Sequence, residues 1–201
     1  MPEYARRRWE KDWKTKAWEN CVIKSGIKTD YAFVGSSSTY ISNFGKEFPD
    51  KKIMTFGVPG YPVAAFWEMG EMLKAVSPKK IFILGGINGM KEGGADEIIE
   101  DYRELLDYFG EMVPSAELIV QAIWPITKSA TERYCSIDTI KDFNEKLEKL
   151  ANEKGKRFIN IYNELTDETG YLKSDITSDG IHCGPFAYNK WKEAVKTYIY
   201  E

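Results

Sequence analysis

Tyr31-Ala-Phe-Val34, running into Gly35-Ser36-Ser37-Ser38-Thr39, is the stretch that decides how this chain folds. A short run of apolar residues that stops at glycine and small hydroxyl residues reads as a buried strand emptying into a tight loop. The pattern recurs downstream. Lys52-Lys-Ile-Met-Thr-Phe56 leads into Gly57-Val-Pro-Gly60, Lys80-Ile-Phe-Ile-Leu84 into Gly85-Gly86-Ile87-Asn88-Gly89, and Glu117-Leu-Ile-Val-Gln-Ala122 into Trp124-Pro125; Arg157-Phe-Ile-Asn-Ile161 supplies a fifth run. Between the runs lie stretches with helical spacing, clearest over Ala95 to Met112 (Ile98, Ile99, Tyr102, Leu105, Leu106, Phe109) and Ser136 to Lys154 (Ile137, Ile140, Phe143, Leu147, Leu150). Near-continuous apolar strands alternating with helices predict a parallel sheet covered on both faces, because parallel neighbours need a crossover. The expected fold is α/β, a three-layer α/β/α sandwich with a five-stranded parallel sheet.

Outside this alternation, residues 1–30 read as an N-terminal helical extension, with Trp9, Trp13 and Cys21 near one stripe, and the last sixteen residues read as a helix placing Phe186, Trp191, Val195 and Tyr198 near another. No linker or repeat interrupts the 201 residues, which predict one domain over 1–201. Lys plus Arg total 28 against 31 Asp plus Glu, a net charge of −3, which argues against a nucleic-acid partner. No apolar run reaches the ~20 residues of a membrane helix, and charges follow Arg6 to Arg8 where a signal peptide needs an apolar stretch. The expectation is a cytoplasmic chain with no membrane partner. Three cysteines without a CxxC spacing and a single histidine predict neither disulfides nor a zinc site.

Ligands of open α/β sheets bind at the carboxyl ends of the strands, so the three glycine-rich exits carry the interest. The one histidine, His182, lies in Ser178-Asp179-Gly180-Ile181-His182, before the last helix. A tight turn there sets Asp179 beside the imidazole, holding the Nδ1 proton and leaving Nε2 to act as a general base for a serine.

These residues resemble the blocks of the SGNH hydrolases, also called GDSL-like esterases and lipases, from about Tyr31 to Trp191. Phe33-Val34-Gly35-Ser36-Ser37 resembles the block ending in Gly-Asp-Ser, Gly86-Ile87-Asn88-Gly89 resembles Gly-x-Asn-Asp, and Asp179 and His182 match Asp-x-x-His in full. The departures are Ser36 for aspartate, Thr55 or Phe56 where asparagine is frequent, and Gly89 for the last aspartate. The residues alone leave Ser36 and Ser38 open as nucleophiles; the resemblance selects Ser37. It implies a flavodoxin-like sheet, a Ser37–His182–Asp179 triad, and an oxyanion hole from the N–H groups of Ser37 and Gly57 and the Asn88 amide. It also implies hydrolysis of short-chain O-acyl esters, acetyl esters of carbohydrates foremost, with no cofactor or metal and a small-molecule or carbohydrate ester as partner. Trp124 and Tyr61 are the substrate-binding candidates, with Tyr40 and Phe66 behind them; each follows a strand end. Cys183, adjacent to His182, is expected to be a packed or semi-exposed thiol and not a nucleophile, since neighbouring side chains point apart. A rival reading is a non-catalytic doubly wound module that cradles phosphate on the Gly35–Thr39 loop.

Overall fold

The structure, a computed structural model, describes residues 13–201. Five strands form one parallel sheet: β1 (Tyr31–Gly35), β2 (Ile53–Gly57), β3 (Lys80–Leu84), β4 (Glu117–Gln121) and β5 (Arg157–Ile159), in the order β2-β1-β3-β4-β5. This is the flavodoxin-like order, in which the chain reverses direction across the sheet between β1 and β3 and opens a crevice there. β1 is the pivot, with Gly35 level with Gly57 on one side and with Leu84 on the other.

Helices cover both faces. The elements are α1 (Trp13–Ser25), α2 (Ser37–Ile41), α3 (Phe44–Glu47), a 3₁₀ segment (Val63–Met69) continuing into α4 (Gly70–Val76), α5 (Met90–Met112), α6 (Ile137–Glu153), α7 (Tyr162–Leu165) and α8 (Pro185–Tyr200). Alternation along β1 sorts the faces. The Tyr31 hydroxyl donates to the Ile199 carbonyl at 2.6 Å, and Phe33 stacks on Phe82 at 4.5 Å and meets Trp191 edge-on at 6.0 Å, so this face belongs to α8. Among the described residues no helix is long and apolar enough to cross a membrane.

The expected elements are present, with shifted ends. β3 has the expected limits, β1 and β2 extend to their glycines, and β5 stops at Ile159 rather than Ile161. α6 starts where expected because the Ser136 hydroxyl accepts the Thr139 N–H, capping the helix. The stripe expected on the first helix is different: Cys21 is exposed, while Thr15 and Val22 are buried and Trp18 packs on Phe56 at 5.6 Å. Residues 1–12, Trp9 included, lie outside the described residues. On α8 the buried stripe is Ala187, Trp191, Val195 and Ile199; Phe186 stays in solvent.

Trp191 anchors α8. Its indole is 1% exposed, donates to Gln121 Oε1 at 2.5 Å and packs on Phe33, Phe44 and Trp124. Trp191→Ala is expected to cost about 3–5 kcal/mol of stability, as core aromatic truncations do, read as a lower denaturant midpoint at unchanged slope.

Candidate active site

Ser37 is the first residue of α2, directly after β1 and Ser36. The helix begins this abruptly because the Ser36 carbonyl already accepts the Tyr40 N–H at 3.0 Å. N–H groups of a first helical turn have no intrahelical acceptor, so that of Ser37 is left for a ligand. Among the described residues the Ser37 hydroxyl has no hydrogen-bond partner. Ser36 is buried, and the Ser38 carbonyl accepts the Tyr188 hydroxyl at 3.2 Å. Ser36 and Ser38 line a narrow cleft of about 30 Å³ closed by Gly85, Ile87, Ile123 and Trp124, at the exits of β3 and β4.

Asn88 stands on a 3₁₀ turn (Ile87–Gly89) after β3, and its Nδ2 donates to the Tyr61 carbonyl at 3.1 Å. One amide hydrogen fixes the side chain; the second has no acceptor among the described residues. Gly57 has a different task from the oxyanion role expected of it. The Val58 N–H donates to the Gly35 carbonyl at 3.0 Å, and successive N–H groups of a strand point to opposite sides. The Gly57 N–H is therefore directed to the outer edge of the sheet, away from β1. What Gly57 provides is room, since a Cβ there would lie 2.3 Å from the Tyr40 backbone nitrogen. Beyond it, Val58-Pro59-Gly60-Tyr61 forms a turn closed by the Tyr61 N–H on the Val58 carbonyl at 3.2 Å, with Gly60 at φ +82°. Proline then glycine at the central positions is the type II signature, which leaves the Gly60 N–H unbonded within the turn.

Asp179 and His182 meet as the spacing suggests. Asp179 Oδ2 and His182 Nδ1 are 2.6 Å apart, and Asp179 Oδ1 accepts the N–H groups of Ile181 and His182 at 3.1 and 2.8 Å. Both carboxylate oxygens are thus occupied. Burial pushes the Asp179 carboxyl up, but the His182 ring and the two backbone donors outweigh it and hold it at about 2. The turn is clamped from outside: Thr177 Oγ1 donates to the His182 carbonyl and accepts the Gly180 N–H, and the Thr127 N–H reaches the Gly180 carbonyl. Gly180 takes φ +88° with its α-carbon against Thr127, a position that strains any side chain. With a carboxylate on Nδ1, the ring carries its proton there and offers Nε2 as a base.

The other expected residues divide. Trp124 lines the cleft and is held edge-on by Tyr188 and Trp191 at 5.5 and 5.3 Å. Tyr61 does not line it: the side chain is buried, with its hydroxyl within hydrogen-bond distance of Thr15 Oγ1 and Glu68 Oε2, and it serves the site through its carbonyl. Phe66 is core, under Gly85, and Tyr40 is exposed. Cys183 is buried, and burial, with Asp179 nearby, pushes its thiol up to about 12. It is no nucleophile near neutral pH.

The Asp179 shift makes a prediction about stability. A carboxyl lowered from 3.8 to about 2 by folding stabilises the fold above its unfolded value, and that contribution disappears as the pH falls towards 2. Asp179→Asn should melt below the unaltered protein at pH 6, and the gap in Tm should close by about pH 2. A gap independent of pH means that the carboxylate charge is not what holds the turn.

Comparison with known proteins identifies the family and the fold. The GDSL-like lipase/acylhydrolase family matches residues 26–190. A multidomain esterase of Ruminococcus flavefaciens is 27% identical over 134 residues, covering 65% of this chain; the chain spans only 17% of that relative's length. The fold is similar to a GDSL-like lipase from Bacteroides thetaiotaomicron, with TM-score 0.75 and 20% identity over 98% of each chain. It is also similar to a family 3 carbohydrate esterase of Clostridium thermocellum, with TM-score 0.64 and 15% identity over 86% of this chain and 98% of that one. The chain belongs to the GDSL-like lipase/acylhydrolase family, a family of carboxylic ester hydrolases.

Proposed function

We propose that this chain is a serine esterase that removes short acyl groups, acetyl foremost, from hydroxyls of carbohydrates. The observation that carries the reading is the Asp179–His182 pair, with Oδ2 and Nδ1 2.6 Å apart on the loop before α8, in a chain that sets a serine at the exit of β1. Serine is a weak nucleophile and needs such a base. Ser37 Oγ attacks the ester carbonyl while His182 Nε2 takes its proton. Asp179 stabilises the imidazolium, and the proton passes to the departing alcohol as the C–O bond breaks. Water, deprotonated by the same nitrogen, then releases the acid and restores Ser37. The oxyanion is met by the Ser37 N–H, the second Asn88 amide hydrogen and the Gly60 N–H, which replaces Gly57 for the reason given above.

The acyl preference follows from size. A cleft of about 30 Å³ between Ser36, Ser38 and Trp124 takes about two water-sized groups, enough for an acetyl methyl and little more. The carbohydrate half of the proposal rests on the likeness of the fold to a protein named as a family 3 carbohydrate esterase.

Hydrolysis of 4-nitrophenyl acetate tests the assignment. Ser37→Ala is expected to leave at most the ~10³–10⁴-fold rate over water that triad deletions retain, with Tm unchanged. Full activity in that variant, with Ser36→Ala or Ser38→Ala inactive, moves the nucleophile by one residue.

For acyl length, kcat/KM is expected to fall at least about tenfold from acetate to butyrate esters of one alcohol, since a pocket without spare volume rejects each methylene at roughly 1–3 kcal/mol. Equal rates on both esters mean that the cleft does not hold the acyl group.

A further inference from the structure

We propose that the open groove beside His182 receives the alcohol part of the ester, and that Phe186 is the platform on which its pyranose ring stacks. This rests on the esterase reading. The two halves of an ester need opposite exits from the serine, and the cleft at β3 and β4 has about 30 Å³. The alcohol must lie where His182 returns the proton. His182 lines a groove of about 450 Å³, open to solvent, whose walls include Asp175, Ser178 and Phe186.

Phe186 is 41% exposed in the first turn of α8, although the same helix buries Ala187, Trp191 and Val195. Its ring is nonetheless held. The ammonium groups of Lys173 and Lys190 lie 5.3 and 5.8 Å from the ring centroid. Lys173 donates to the Glu164 carbonyl and Lys190 pairs with the Glu164 carboxylate, both at 3.0 Å. Neither lysine lines the groove, so the ring is braced from outside and shows its remaining surface to the groove. Asp175 and Ser178 have no hydrogen bond or ion pair among the described residues. A pyranose combines an apolar C–H face with a rim of hydroxyls, and an aromatic ring beside a carboxylate and a hydroxyl answers both. An aliphatic alcohol would leave the Asp175 carboxylate and the Ser178 hydroxyl of the same groove without partners.

The test compares acetate release from an O-acetylated methyl xyloside and from ethyl acetate by the full chain, by Phe186→Ala and by Phe186→Tyr. The ratio of kcat/KM for the xyloside to that for ethyl acetate is expected to drop about tenfold in Phe186→Ala, mainly through KM, and to recover in Phe186→Tyr. Equal loss on both esters makes Phe186 a structural residue and overturns the proposal, as does an unchanged ratio. An unaltered chain inactive on both esters overturns the esterase reading itself, and the groove assignment with it.

Discussion

No side chain fits at the paired ends of β1 and β2, and the site depends on that. A Cβ on Gly35 would lie 2.2 Å from Thr39 Oγ1 and 2.4 Å from the Leu84 carbonyl, and one on Gly57 would meet the backbone of Tyr40. α2 therefore lies directly on the strand ends, and the chain turns from strand to helix within Ser36. Among the described residues that turn leaves the Ser37 N–H without an acceptor and its hydroxyl without a partner. With a larger residue at either glycine α2 would have to lift, and the serine, the cleft behind it and the Asn88 amide would lose their common edge.

The two chemical halves of the site come from opposite ends of the sequence and are stiffened differently. Asp179 and His182 are held inside one short turn by its backbone donors and by Thr177 and Thr127. Ser37 is placed by the sheet. The halves are joined where α2 meets α8, through the Tyr188 hydroxyl on the Ser38 carbonyl and the cluster of Trp124, Tyr188 and Trp191. Trp124 thus walls the cleft beside Ser36 and Ser38 while Tyr188 and Trp191 pack α8 against it and against the start of α2.

The sheet was legible because burial on both faces demands unbroken apolar runs, and the five runs had no competing pattern. The Asp179–His182 pair was legible because a three-residue spacing lets an aspartate accept backbone N–H groups and still reach the ring. Gly57 was misread for a reason local sequence does not display. Which N–H of a glycine-rich exit faces the site depends on strand register, and only the Val58–Gly35 hydrogen bond reveals it. Tyr61 was misread likewise, because an aromatic after a strand end looks the same whether its ring faces substrate or its hydroxyl is taken up by Thr15 and Glu68. On α1 the polar Thr15 replaces an apolar residue in the buried stripe, which hid the stripe from hydrophobic periodicity.

Electrostatics separate the esterase from the phosphate-binding module that glycine-rich loops also suggest. Phosphate recognition wants cations or a dense nest of free N–H groups. Gly35–Thr39, Gly57–Gly60 and Gly85–Gly89 contain no lysine or arginine, and the Gly85 N–H is spent on the Tyr102 hydroxyl at 3.1 Å. Asp179, ionised down to about pH 2, adds a negative charge to the loop before α8. That charge repels a phosphate dianion but stabilises an imidazolium formed transiently beside it. Uncharged donors at the strand exits suit a neutral ester that becomes an anion only as it reacts, because they reward the charge that develops and not the ground state.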